Sequence, residues 1–357
     1  MKSPNKARSN SDGGIILTDE ENEAQNGVHM LGGPRISLAV VALACVAGCG
    51  AGGNKANAST SGGVAASGPA IAPQDKAPSP QQTGGFDGQR AYDYTAKLVS
   101  FGPRPSGSDA IKKTQGYISG ELHADGCQVD EDNFNAQTPV GNITMKNIVA
   151  KVPGAGKDVI LLLTHYDTKR LDNFVGAEDG GSSTGLMLEM ARLLCGKKQP
   201  VAIWMAFLDG EEAVNPEWGD DDHTYGSRQM AANLELTGQS KNVKAVILVD
   251  MIGQKGLHTP KESTSTAWLT ELIWSTAAKL GYQNVFVSQS GPVDDDHDPF
   301  LAKGIPAVDI IDLNDYINEG YWHTPQDTMD KISPKSLAIV GHVVLASVGE
   351  LEKKFSR

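Results

Sequence analysis

The chain has 357 residues, 39% of them hydrophobic, and its 43 acidic against 31 basic residues give a formal net charge of −12. The basic residues are scattered and form no stripe, which argues against nucleic acid as a partner. The four cysteines, at positions 45, 49, 127 and 195, make neither a disulfide scaffold nor a cysteine metal motif, and their spacing leaves the pairing of Cys127 with Cys195 open.

Residues 1–29 are polar, mixed in charge and without an apolar period, and read as a leader outside the functional protein. Met30 then opens MLGGPRISLAVVALACVAGCG, with Arg35 as a basic end, Ile36 to Val46 as an apolar stretch and Val46-Ala47-Gly48-Cys49 resembling a bacterial lipobox. That stretch is short for a membrane span, so residues 30–48 are predicted to be an export signal and Cys49 a lipid anchor, with Met30 as the working start. An uncleaved N-terminal anchor is the alternative. The expected location is the periplasm or cell envelope, and the lipid is the expected link to a membrane. Residues 49–85 are rich in Gly, Ala, Ser and Pro and are expected to stay a flexible tether. Residues 86–357 are read as a single, monomeric α/β domain.

Within that domain helices and apolar runs alternate. Tyr94, Leu98 and Phe101 lie at helical spacing before a break at Gly102-Pro103, and Ile111 to Ala124 reads as a second helix. NITMKNIVAKVPG and DVILLLTHYD read as strands, the second apolar enough to be buried on both faces. Thr184 to Leu194 is a helix, VAIWMAFLDGEE a second buried strand, Tyr225 to Leu234 a helix and VKAVILVDMIG a third buried strand. A helix from about Thr266 to Leu280, the short strand NVFVSQ, a short helix ending at Lys303 and the strand IPAVDIID follow. The last helix starts at Ser333 as N-cap with Pro334 as its first residue. This alternation predicts a three-layer α/β/α sandwich around a central mixed, mostly parallel sheet.

Chemistry-bearing residues fall just past the apolar runs: His165 and Asp167, then Asp209 to Glu212, then Asp250, with Asp179 in FVGAEDGG and His323 in YWHT. Side chains beyond the carboxyl ends of parallel strands converge on one crevice. Carboxylates gathered there repel one another unless a divalent cation holds them, and zinc takes His nitrogen and Asp or Glu oxygen. Gly176, Gly180 and Gly181 let the backbone around Asp179 turn tightly. Glu211 beside Glu212 supplies a proton acceptor next to a ligand. His165 reads equally as a ligand of a second metal or as a hydrogen-bond partner of the first set. Asp209 reads as a residue fixing the turn before the glutamate pair, His297 as a structural donor, Trp204 as core, and Asp220 to Asp222 as a solvated loop.

The ordered set THYD, FVGAED, FLDGEEA, YGSR, VDMIG, DDDHDPF and YWHTPQDT resembles the zinc-aminopeptidase-like family, and within it the glutaminyl-peptide cyclotransferases, over roughly residues 90 to 352. The resemblance implies one zinc on Asp179, Glu212 and His323, with Glu211 as general acid/base and Asp250 and Asp295 as carboxylates near the reacting nitrogen. It implies a pocket bordered by Trp322 and Trp218, and cyclisation of N-terminal glutamine on peptides or proteins. A zinc aminopeptidase is the main alternative, since His165 and Asp250 complete a second metal site around Asp179. A non-catalytic binding lipoprotein on the same fold is the lesser one. The chain departs from the animal cyclases at Thr164 and Thr184, where those carry a cysteine pair, at Asp309, where a pocket histidine is expected, and in the loop Asn314 to Tyr321.

Overall fold

The computed structural model describes residues 71–219 and 221–356. The leader, the export signal, Cys49 and most of the tether lie outside the described residues. The tether's last part does not behave as its composition suggests. Pro73–Asp75 and Pro80–Gln82 form short 3-10 turns, the second closed by a capping box between Ser79 and Gln82. Thr83 is buried and donates to Phe86 O at 2.6 Å, while Ile71 packs on the main core. The folded part therefore begins before Phe86, because two prolines at turn starts and one cap order a segment with few bulky side chains.

Helices α1 (Gly88–Val99) and α2 (Asp109–Ala124) follow, capped by the side chains of Asp87 and Ser108 on the N–H groups of their first turns. Strands β1 (Gln128–Thr138) and β2 (Gly141–Val152) form an antiparallel hairpin. Then come β3 (Val159–His165), α3 (Ser183–Leu194), β4 (Ala202–Leu208), α4 (Tyr225–Leu236) and β5 (Val243–Asp250). The chain continues through β6 (Thr259–Glu262), α5 (Ala267–Lys279), β7 (Phe286–Gly291) and α6 (Asp298–Leu301). It ends with β8 (Ala307–Ile311), α7 (Leu313–Asn318) and α8 (Pro334–Phe355).

The main sheet has the order β1-β2-β4-β3-β5-β8; β3, β4, β5 and β8 run parallel and β1 and β2 antiparallel to their neighbours. A two-residue side-chain period assigns each central strand to both layers. Ile160, Leu162, Ile203, Met205 and Ile247 face the core under α1, α3 and α8, while Leu161, Leu163, Ala206 and Leu248 face α4 and α6. The sandwich predicted from the alternation is thus the fold observed, with the thicker helical layer on one side. Helix α8 is apolar and long enough to cross a membrane by length alone, but its stripe of Leu337, Val340, Val344, Val348 and Leu351 is buried in the domain core.

Strands β1 and β6 and helix α7 are not among the elements expected from the sequence. Strand β1 is an edge strand, largely solvent-facing, whose polar run QVDEDN lacks the apolar signal of a buried strand. Cys127 and Cys195 form a disulfide that joins the start of β1 to the end of α3.

Candidate active site

The parallel strands deliver their carboxyl ends to one edge, and the register decides who meets whom. Leu163 pairs with Leu248, so two residues on His165 lies beside Asp250. His165 Nε2 stands 3.1 Å from Asp250 Oδ1 and 3.3 Å from Asp179 Oδ1. Asp179 arrives from the turn Glu178–Ser182 ahead of α3, where Gly180 takes φ +73°, and Gly176 just before the turn takes φ +51°. A Cβ at Gly180 would lie 2.7 Å from Asp167 O, and one at Gly176 would lie 2.4 Å from Asp179 O, so both the conformation and the close approach require glycine.

Across the crevice, His323 Nε2 lies 3.3 Å from Asp179 Oδ2 and 3.4 Å from Glu212 Oε2. His323 itself adopts φ +52°, and its ring is stacked on Trp322 at 3.9 Å. Two sets of potential ligands result, His165/Asp179/Asp250 and Asp179/Glu212/His323, with Asp179 common to both. Glu212 Oε2 is buried and has no hydrogen-bond donor, although Glu212 Oε1 accepts the Lys169 N–H at 2.9 Å. An orphaned carboxylate oxygen facing an imidazole and a second carboxylate fits a divalent cation, and one histidine with two carboxylates is a donor set that suits zinc. Lys169 Nζ, buried and without a hydrogen-bond partner, lies 3.9 Å from Glu212 Oε2 and offsets part of the local negative charge.

Asp167 does not join either ligand set with its free oxygens: it accepts the N–H groups of Glu211 at 3.2 Å and Glu212 at 3.3 Å, which sets the glutamate turn. Behind that turn Asp209 accepts from Ser106 Oγ at 2.6 Å, Lys146 N at 3.0 Å, Gln115 Nε2 at 3.1 Å and Tyr166 Oη at 3.2 Å. The turn-fixing role expected for Asp209 is what these bonds describe.

Electrostatics separate the acids. Burial raises the Glu211 pKa well above the usual carboxylate range; His165 opposes this and Glu212 and Asp295 add to it. Burial likewise raises Asp250 against the pull of His165, and raises Asp295 strongly, with Asp309 and Asp250 contributing. Asp179 goes the other way. Burial works against its charge, but hydrogen bonds from His165 and His323 hold its carboxyl below the usual range. His323 is raised to about 9 because the close carboxylates of Asp179 and Glu212 outweigh burial. A proton acceptor held high beside a carboxylate held low is the arrangement that lets one acid shuttle protons while its neighbour stays charged.

A cavity of ≈ 240 Å³ opens over these groups, floored by Glu211, Asp250 and Asp295 and walled by Trp218, Trp322 and Val293. It is smaller than the ~300–1,000 Å³ of drug-sized sites and suits a single terminal residue. Every predicted catalytic and metal residue lines it except His165, which lies just beneath. Asp309, expected at the pocket, does not reach it. It shares a strand face with Ile311, which does line the cavity, but sits two residues deeper in β8, fully buried with both carboxylate oxygens unpartnered. The Asp220–Asp222 reading also needs correction at Asp222, which is buried and accepts from Asn215 N at 2.8 Å and Tyr225 Oη at 2.6 Å. Trp204 is half-buried on the outer layer under Lys151. His297 is buried against Glu262 Oε2 at 3.1 Å, as a structural partner.

Three positioning groups escaped the sequence reading. Asp327, within the quoted YWHTPQDT, accepts Glu178 N at 2.8 Å, Asp179 N at 3.2 Å and Tyr316 Oη at 2.6 Å, so the segment carrying His323 also clamps the turn carrying Asp179. Glu178 accepts Gly253 N at 2.8 Å and Gln254 N at 3.0 Å, tying that turn to the loop after β5. Arg104 is wholly buried and donates to the carbonyls of Tyr166, Val175 and Gly176.

Strand-end carboxylates, a paired glutamate and a loop histidine on an α/β/α sandwich define the zinc-exopeptidase-like class. The sequence model for peptidase family M28 matches residues 147–348, and the chain belongs to that family. A glutaminyl-peptide cyclotransferase-like protein of Mus musculus is 30% identical over 279 residues, covering 69% of this chain and 72% of its own. Among solved structures, an Acidobacteriales bacterium glutaminyl cyclase superposes with TM-score 0.71 at 36% identity, covering 83% of this chain and 100% of its own. The Porphyromonas gingivalis glutaminyl cyclase gives TM-score 0.69 at 32% identity, covering 74% and 99%.

Proposed function

We propose that this chain is a zinc-dependent glutaminyl-peptide cyclotransferase, which converts the N-terminal glutamine of peptides or proteins to pyroglutamate and releases ammonia. The observation that carries the reading is the small acidic cavity walled by Trp218 and Trp322, with Glu211 at its floor beside the Asp179/Glu212/His323 set. The named relatives and structural neighbours support it.

One zinc, held by Asp179, Glu212 and His323, would supply Lewis-acid polarisation of the γ-carbonyl oxygen when bound. The chain's own side chains do the rest. The aromatic walls hold the terminal glutamine folded back, so that its α-nitrogen meets its γ-carbon; this positioning is a large share of the barrier. Asp250 and Asp295 accept hydrogen bonds from that nitrogen. Glu211 takes a proton from the attacking nitrogen as the new N–C bond forms. It gives a proton to the amide nitrogen as the old C–N bond breaks, so ammonia leaves and no water is consumed.

The second ligand set, His165/Asp179/Asp250, favours another reading, a two-metal aminopeptidase in which Glu211 activates a water. Ammonia release from a Gln-Ala-Ala peptide by zinc-loaded protein separates the two: the cyclase releases ammonia and no free amino acid, the aminopeptidase the reverse.

We also propose that the protein is an exported, monomeric lipoprotein anchored at Cys49. The Cys127–Cys195 disulfide supports an oxidising compartment. Cys49→Ala is expected to move the protein from the membrane to the soluble fraction of cells; retention in the membrane would count against the anchor.

A further inference from the structure

The floor of the cavity is explained by the proposed chemistry, but its rim is not. Asp294 lines the cavity, and its side chain is 55% exposed. Its Oδ2 accepts from Trp218 Nε1 at 3.0 Å, and His223 stacks on Trp218 at 4.3 Å with Nε2 3.8 Å from the same oxygen. Trp218 and Asp294 come from different loops, so this bond bridges the mouth and holds one carboxylate at the opening. Asp298 stands beside it: burial raises the Asp298 pKa, His297 opposes, and the nearby Asp294 adds to the rise. Asp298 is itself part-exposed, at 38% of its side chain. Among the described residues no lysine or arginine lines the cavity, and none is paired with Asp294 or Asp298. Directly below, Asp295 is 2% exposed and its Oδ2 has no hydrogen-bond partner. The mouth thus has carboxylates at two depths, faced by the imidazoles of His223 and His297 but by no lysine or arginine among the described residues.

A peptide with its terminal glutamine in the cavity must pass its second residue across this rim. Resting on the cyclase reading, we infer that Asp294 is a specificity-determining residue that selects substrates with a cationic side chain directly after the N-terminal glutamine. An exposed charge pair is worth a modest factor, and attraction of a cation combines with repulsion of an anion. The preference for lysine over glutamate at that position is expected to be about five-fold or more at low salt and to shrink as salt rises.

The test compares kcat/KM for Gln-Lys-Ala, Gln-Ala-Ala and Gln-Glu-Ala on zinc-loaded enzyme, for the wild type and for Asp294→Asn. Asparagine keeps an oxygen for Trp218 Nε1 and removes only the charge. The expected order is Lys, Ala, Glu, with the Lys-to-Glu ratio falling toward one in Asp294→Asn. Asp298→Asn, as a second variant, should lower the ratio part of the way. A wild-type ratio near one, or a ratio that survives Asp294→Asn unchanged, overturns the inference. Calorimetric Kd values for the same peptides on zinc-loaded Glu211→Gln read the preference without turnover. Ammonia released equally from all three peptides defeats only the rim. A Kd preference for Gln-Lys-Ala without ammonia from any peptide defeats the cyclase reading and leaves the rim standing.

Discussion

The site has two halves built on different principles. The strand-end half, His165, Asp167, Asp209 to Glu212 and Asp250, is buried, and its carboxylates accept backbone N–H groups or face an imidazole, except that Glu211 accepts no hydrogen bond among the described residues and only stands 3.7 Å from His165 Nδ1. The loop half, Trp218, Asp294, Asp295, Trp322 and His323, rides on segments after α-helices and strands and includes exposed side chains and a left-handed histidine. The difference assigns the tasks. Under the proposed function the strand-end half holds the acid that moves protons, and the loop half borders the substrate and decides what fits.

The sharpest way to break this division is Glu211→Gln. If the strand-end half owns the chemistry, turnover falls by about 10²–10⁴ while bound zinc, measured by elemental mass spectrometry, stays near wild type. Activity close to wild type would return the acid/base role to the loop half. His323→Ala attacks the loop half's contribution to the metal. Added zinc at a hundred times its Kd should stabilise the wild type by about 2.7 kcal/mol, and that zinc-dependent rise in melting temperature should vanish in the variant.

Asp327→Asn tests whether the two halves are joined through the Asp179 turn. Asparagine has one acceptor oxygen for the three donors on Asp327, so a buried N–H loses its partner at a cost of about 1–3 kcal/mol. A drop in zinc affinity of about 10–100-fold should accompany it, since outer partners set ligand geometry. An unchanged zinc titration would uncouple the turn from the ligand set.

A further test is on pH dependence. Burial, and then Asp167, push the Asp209 carboxyl up to about 7, so the folded state keeps a proton that the unfolded chain gives up near pH ~4. The stability this proton contributes is fully present below pH ~4 and is lost as pH rises through about 7. Urea midpoints in zinc buffer should fall between pH 5 and 8, and Asp209→Asn should flatten that fall whatever its absolute stability. An equal slope in both proteins would remove Asp209 from the account.

The same contrast governs what the sequence discloses. Apolar runs ending in acids stand out from their surroundings, so the central strands, the crevice and Glu211, Glu212 and Asp250 can be read from them, while Asp179 lies in the glycine-rich FVGAEDGG and its ligand role comes with the resemblance. The sandwich follows from the alternation. Strand β1 cannot be read that way, because an edge strand facing solvent has no apolar pattern, and α7 is too short to show a helical period. The depth of Asp309 is a matter of two residues along β8, which spacing does not resolve. Asp327 and Glu178 bond to backbone N–H groups far along the chain, and such bonds leave no local trace; their places in YWHTPQDT and FVGAED are the available signal. The Cys127–Cys195 pair depends on how β1 and α3 pack, not on the number of residues between them.

The most direct test of the joint action of both halves is mass spectrometry on purified, zinc-loaded protein incubated with an equal mixture of Gln- and Leu-initiated peptides. The account predicts that the Gln peptide loses one ammonia with its sequence otherwise intact, and that the Leu peptide is unchanged. Removal of the first residue from either peptide would contradict it and place a metal-activated water in the cavity instead.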